Sequence, residues 1–375
     1  MYVSTVLRRR RTAWLVVTAA ATVGATLPLA TQLTPPASAA TDSLASSRMV
    51  TLPDLAHLAA PDTTSPDVPG PLKYNGSSGA PTVGTNGVGG GGVGGGIGVV
   101  TGAPKIYLIF WGTQWGAQST NAASDVVFAN DPAGAAAPVQ ELFKGIGTGN
   151  EGWSRVMTQY CEGVPAGSTS CPATAPHVGY PTSGALAGVW YDDRAAAPDA
   201  ASLSQLGQEA IDAATHFGNT TAAANRNAQY AILSATGTHP DGFPTTGFCA
   251  EHGSSDTGST VSPYGPLAMT NDPYVLDAGV NCGENFLHAG TAGIDDGFTI
   301  AYAHEYAETL TDPLPQIPGG GWYDAVNQEN GDKCAWIRSG QGAVQDVTFT
   351  TGTFAMQSTW ANDFGAIGGC EISHS

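Results

Sequence analysis

Residues 301–313 read Ala-Tyr-Ala-His-Glu-Tyr-Ala-Glu-Thr-Leu-Thr-Asp-Pro and contain the motif H-E-x-x-E at His304, Glu305 and Glu308. Side chains four apart lie on one face of a helix, so His304 and Glu308 can hold one metal ion from the same side. Glu305 is rotated away by about 100° but stays beside the same ion. A hydrolytic zinc site needs this combination of two ligands at i and i+4 with a neighbouring carboxylate that takes a proton from the attacking water. Multiplied residue frequencies give about 0.01 chance matches to the motif, although the commoner zinc-protease form has a second histidine. The bland alternative is a solvated helix face carrying one His and two acids.

The flanking residues must supply the helix. Asp295 and Asp296 are candidate N-caps, and Phe298, Ile300, Tyr302 and Ala303 give an apolar surface. Pro313 disfavours helical geometry at the residue before it, so the expected helix runs from about 297 to 311. A His and two Glu among apolar neighbours are costly to bury unless paired or metal-bound. The third ligand must come from another segment. Glu329 lies 21 residues after Glu308, room enough for the chain to fold back over the helix, and is the favoured ligand. Asp324 and Asp332 compete with it. Asp312 continues the i, i+4 series but precedes Pro313 and is assigned to the helix end.

Two further histidines can do chemistry. His252, in Gly247-Phe248-Cys249-Ala250-Glu251-His252, is the candidate donor to a transition-state oxyanion, and His288 is a second candidate. His216 and His239 are read as structural or solvent-facing.

Arg8–Arg11, the apolar residues 13–30 and Ala37-Ser38-Ala39 read together as a secretory signal peptide over residues 1–39. An uncleaved membrane anchor and twin-arginine export are the competing readings. Losing those four arginines takes the formal net charge from −18 to −22. So acidic a chain does not suit nucleic acid, which needs clustered cations, and it suits an extracellular enzyme or a cation-binding protein. Six cysteines in a secreted chain imply three disulfides. Proximity favours Cys161–Cys171, Cys249–Cys282 and Cys334–Cys370, and no C-x-x-C spacing supports a cysteine zinc site. No other stretch approaches a membrane span. The mature protein is therefore expected to be secreted, free of membrane and monomeric.

Residues 40–100 are rich in Pro, Ser, Thr and then Gly, and read as a linker or propeptide. Order is expected from about residue 101, with a catalytic domain over 101–375. Residues 105–111 and 229–235 read as strands, and 136–146, 152–161 and 202–217 as helices. The class is α/β or α+β, and the local pattern does not order the strands.

The runs IYLIFWGTQWG, GFCAEH, HEYAETLTDP and GWYDAVNQENGDKCAW occur in that order. They resemble a family of secreted bacterial and fungal proteins related to the plant Exordium (phosphate-induced protein) family, which are similar to zinc metallopeptidases of the zincin type. The resemblance spans residues 101–370. It implies a disulfide-stabilised zincin-like domain with an active-site helix, and one Zn²⁺ held by His304, Glu308 and Glu329. It also implies Glu305 as general base and a protein or peptide substrate. The plant relatives look like they lack the H-E-x-x-E residues, which this chain keeps. Glu251 departs from the pattern, where relatives carry an aromatic residue before the histidine, and this bears on His252. The expected function is a secreted zinc endopeptidase. The alternative is a non-catalytic, Exordium-like binding or cell-surface protein whose acids hold structural Ca²⁺. A serine hydrolase lacks its G-x-S-x-G elbow.

Overall fold

Short runs of β-branched and aromatic residues build a six-stranded mixed sheet. The structure is a computed structural model that describes residues 47–52, 71–74, 82–83, 89–90, 98–315, 321–325 and 327–375, all within one unit over residues 39–375. The expected signal peptide lies outside the described residues. The strands are β1 (Arg48–Val50), β2 (Lys105–Trp111), β3 (Leu186–Asp192), β4 (Ala228–Ser234), β5 (Phe248–Ser254) and β6 (Ala268–Asp272). Their spatial order is β1-β5-β6-β4-β2-β3. The pairs β2/β3, β2/β4 and β4/β6 are parallel, while β5 runs antiparallel to both β6 and β1.

Alternation along each strand divides the apolar residues between two layers. Ile106, Leu108 and Phe110 join Ala231 and Leu233 in the larger core, and Tyr107 and Ile109 join Tyr230, Ile232 and Met269 in a second one. Apolar burial on both faces explains why KIYLIFW reads as one continuous run. Helix α1 (Ala136–Gly145) and helix α3 (Asp296–Thr311) cover the larger core, and helix α2 (Leu203–His216) covers the second. At the start of α2, Ser202 and Gln205 form a reciprocal capping box. The chain ends in two antiparallel pairs, β7 (Gln345–Thr348) with β8 (Thr353–Met356), and β9 (Thr359–Ala361) with β10 (Gly369–Glu371).

The mixed α/β class and all three expected disulfides are present. Among the described residues no helix is long and apolar enough to cross a membrane. Two expectations change. Residues 152–161 carry helical spacing but form only a 3₁₀ segment over Ser154–Gln159, which lays Trp153, Val156 and Met157 into the core in a few tight turns. Order also begins before residue 101, because Arg48–Val50 forms an edge strand of the main sheet.

Candidate metal centre

Helix α3 is buried along its whole length, all sixteen residues from Asp296 to Thr311. An ordinary surface helix shows an apolar stripe and a polar face, whereas a helix enclosed on all sides needs neither. Its walls are specific. Tyr306 packs on Phe143 of α1 and on Trp153, with ring centroids 5.6 and 6.4 Å away. The Tyr302 hydroxyl donates to the Pro273 carbonyl at 2.8 Å, and the Thr299 hydroxyl to the Ala355 carbonyl of β8 at 2.8 Å. The expected cap at the start differs. Asp295 occupies the N-cap position without a side-chain cap bond. The Asp296 carboxylate instead accepts the Leu287 and His288 amides and His288 Nδ1, and so ties down the preceding loop. At the other end, the Asp312 amide donates to the Glu308 carbonyl at 2.7 Å before Pro313 stops the helix.

The motif residues face β5 and the loop after the helix. His304 Nε2 lies 3.0 Å from Glu308 Oε1 and 3.7 Å from Asp332 Oδ1. His252, on β5, places Nδ1 3.2 Å from Glu305 Oε2 and 3.4 Å from Glu308 Oε2, and Nε2 3.5 Å from Glu329 Oε1. Two triads of potential metal donors result, His304/Glu308/Asp332 and His252/Glu308/Glu329, each with its atoms within 4.8 Å of one another. They share Glu308. The structure thus brings His252, His304, Glu305, Glu308, Glu329 and Asp332 into one cluster, but it places the expected ligands His304 and Glu329 in different triads, His304 with Asp332 and Glu329 with His252. Asp324 belongs to neither triad: its carboxylate faces Lys333 Nζ at 2.8 Å and accepts the Gln328 amide.

Neighbouring groups set the orientation of the donors. The Gln357 side-chain amide donates to the Gly331 and Ser358 carbonyls, which turns its oxygen toward His304 Nδ1 at 3.1 Å. That oxygen can only accept, so Nδ1 carries a proton and Nε2 is the nitrogen turned toward Glu308. The Asp332 amide donates to Glu308 Oε1 at 2.9 Å. Gly331 permits this approach, since a Cβ there would lie 2.9 Å from Glu308 Oε1 and from His304 Nδ1. The disulfide from Cys334 to Cys370 of β10 holds the end of the same loop.

The electrostatics ask for a cation. Glu305, Glu308 and Glu329 have no exposed surface, and Asp272 and Asp312 are nearly as buried. Burial pushes the carboxyls of Glu305, Glu329 and Asp272 up from their ordinary values, and takes Asp312 to about 7. Burial would equally discharge His304, but Glu308 beside it overrides that and takes the imidazole up to about 10. For Glu308, the two histidines overcome burial and draw it down to about 2. Beyond those imidazole–carboxylate contacts, His304 Nε2, Glu308 Oε2 and both oxygens of Glu329 meet no further hydrogen-bond partner. Buried polar atoms left short of partners cost roughly 1–3 kcal/mol each, so their collection in one place fits a bound metal.

The other histidines lie elsewhere. His288 is held by Asp296 at 2.7 Å and Asp346 at 3.2 Å. His216 stacks on Trp190 with centroids 4.3 Å apart, and His239 pairs with Asp199. Sequence reasoning missed Gln357, Gly331 and the Asp312 carbonyl, which lies 3.0 Å from His252 Nε2. Gly331 in Asn-Gly-Asp was the one with a local signal, a glycine between candidate ligands. Gln357 had none. Compared with family models, curated proteins and solved structures, the chain matches none of them.

Proposed function

We propose that this chain is a secreted zinc-dependent endopeptidase with a zincin-like catalytic domain. One observation carries the reading: two buried donor triads, His304/Glu308/Asp332 and His252/Glu308/Glu329, share Glu308 beside a further buried carboxylate, Glu305. A donor set of one imidazole with carboxylates suits zinc, whereas calcium takes six to eight oxygens and makes no use of histidine. His304 and Glu308 would hold the ion with Glu329 as the proposed third ligand, although around the shared Glu308 the fold groups His304 with Asp332 and Glu329 with His252. When bound, zinc supplies Lewis-acid polarisation of a carbonyl and acidifies water. Glu305 accepts the proton of the attacking water and delivers it to the leaving amine. His252 would act as hydrogen-bond donor for the developing oxyanion by exchanging its contact with Glu305 or with the Asp312 carbonyl. A set so rich in carboxylates leaves the metal a weaker Lewis acid than three histidines would, so modest turnover is expected. The leader sequence and the three disulfides support export.

Burial of His304, Glu305, Glu308 and Glu329 favours one other reading, a non-catalytic secreted binding protein with a structural ion. Elemental analysis of the purified mature chain, with a casein digest in the presence and absence of chelator, separates the two. The peptidase holds about one zinc per chain, cleaves casein and stops on chelation. A Glu305→Gln variant keeps the zinc and loses activity by about 10²–10⁴-fold; cleavage at the wild-type rate by that variant sinks the assignment.

A further inference from the structure

An endopeptidase must admit an extended chain, yet His304, Glu305, Glu308 and Glu329 have no exposed surface. The covering element at the base is β1. It pairs antiparallel with β5, the strand that carries His252, and the His252 amide donates to the Ser47 carbonyl at 3.1 Å while the Thr51 amide donates to the Gly247 carbonyl at 3.0 Å. The register shifts between Met49 and Val50, a bulge of the kind that re-aims groups out of a ladder. The Met49 amide points at Glu305 and donates to Oε1 at 3.3 Å. The Met49 side chain is fully buried in the main core.

The strand is fastened on both sides. Arg48 bonds Glu251 Oε2 at 2.6 Å and pairs with Asp241, and its guanidinium lies 4.8 Å over the Phe248 ring. Glu251 alternates with His252 along β5 and is held by Asn271 Nδ2 at 2.8 Å. On the other flank, Trp336 Nε1 donates to the Val50 carbonyl at 2.8 Å. So β1 bridges the strand of His252, the base, and the end of the loop that carries Glu329.

Resting on the peptidase reading, we propose that the edge of β5 is the docking groove for an extended peptide with a Met-like apolar side chain, and that Ser47–Thr51 fill it as an internal substrate mimic that keeps the enzyme off. Adding a strand to a sheet edge is how many sites capture a peptide, with backbone bonds for affinity and pockets for alternate side chains. The Arg48–Met49 peptide nitrogen stands on Glu305, where a leaving amide nitrogen must stand to receive its proton. The occupant comes from the Pro/Ser/Gly-rich stretch, not from the catalytic domain, and glycine-rich residues 84–98 lie between them for a protease to cut. Release of the cut leader gives up the three-residue β1 and also the pairing of Lys73–Tyr74 with Trp322–Tyr323 and the buried Leu72, which is bonded to Asn362.

The test uses the mature chain from residue 40 with a site-specific protease sequence inserted in residues 91–97. Casein-peptide hydrolysis, zinc content and binding of a fluorescein-labelled peptide of residues 45–53 are measured before cutting and after removal of the cut leader. The expected result is at least a tenfold rise in hydrolysis after cutting, with labelled peptide bound only by the leader-free protein and hydrolysis suppressed again by excess peptide. An uncut Arg48→Ala/Met49→Gly chain gives the same direction of change without removing any segment. The proposal is overturned if the labelled peptide ignores the leader-free protein, or if uncut, cut and Arg48→Ala/Met49→Gly chains hydrolyse at one rate. Peptide binding gated by the leader with no hydrolysis in any zinc-loaded state upholds the occupied groove and defeats the peptidase reading instead.

Discussion

Helix α2 keeps one side to solvent and one to the sheet, while helix α3, on the opposite face of that sheet, keeps no side to solvent. In α2 the stripe Leu206, Ala210, Ile211, Ala213 and Ala214 is buried, and Ser202 closes the N-terminus with its capping box. Local preferences agree with the outcome except at Glu209, which is buried near Asp192 and Arg194 with its carboxyl pushed up to about 9, chiefly by burial. In α3 the same burial swallows His304, Glu305 and Glu308. Their desolvation works against folding, and the compensation must come from outside the helix. A helix that obeys its sequence pattern is scaffold. One that buries its charges against the pattern is where chemistry is to be sought.

Four perturbations separate the two helices, beginning with the largest effect. His304→Ala is expected to take bound zinc from about one ion per chain to about a tenth or less, because second partners alone are worth 10- to 100-fold in metal affinity and a ligand is worth more; elemental analysis after desalting checks it. Chelating a chain held at about 1,000 times its zinc Kd is expected to lower stability by about 4 kcal/mol. Hydrogen exchange should then show protection lost in α3 and residues 327–336 and retained in α2. Leu206→Ala in α2 should cost about 3 kcal/mol of stability in a denaturant titration and leave zinc content unchanged. Ser202→Ala should cost about 1 kcal/mol, again with no effect on the metal. If either α2 variant sheds zinc, or chelation loosens α2 as much as α3, the two helices are one cooperative unit and the contrast fails.

The same contrast explains what could be read from the residues alone. Helix α2 was legible because Ser202, Gln205 and the apolar spacing lie within one short window. Strands β2 and β4 were legible as runs, and the cysteine pairs followed from nearness along the chain. Helix α3 was found through its motif, since a helix apolar on every side carries little periodic signal. The strand order was hidden because β6 pairs with β4, and β5 with β1, across long stretches of chain. Arg48–Val50 was passed over inside a Ser/Pro-rich segment, where three residues give no usable pattern and the partner lies about 200 residues away. The sequence offered both Glu329 and Asp332 as candidate ligands but not which histidine each one faces. Three residues separate them, and only the fold decides which histidine each one meets.

The bond between Cys334 and Cys370 has a consequence for biosynthesis. Cys370 is made after every residue that would hold the metal, and the bond spans 36 residues back to the loop of Glu329. A nascent chain therefore cannot close this clamp on the Glu329 loop until Cys370 has been made. The clamp closes only after translation has passed the last cysteine and oxidising conditions have been met.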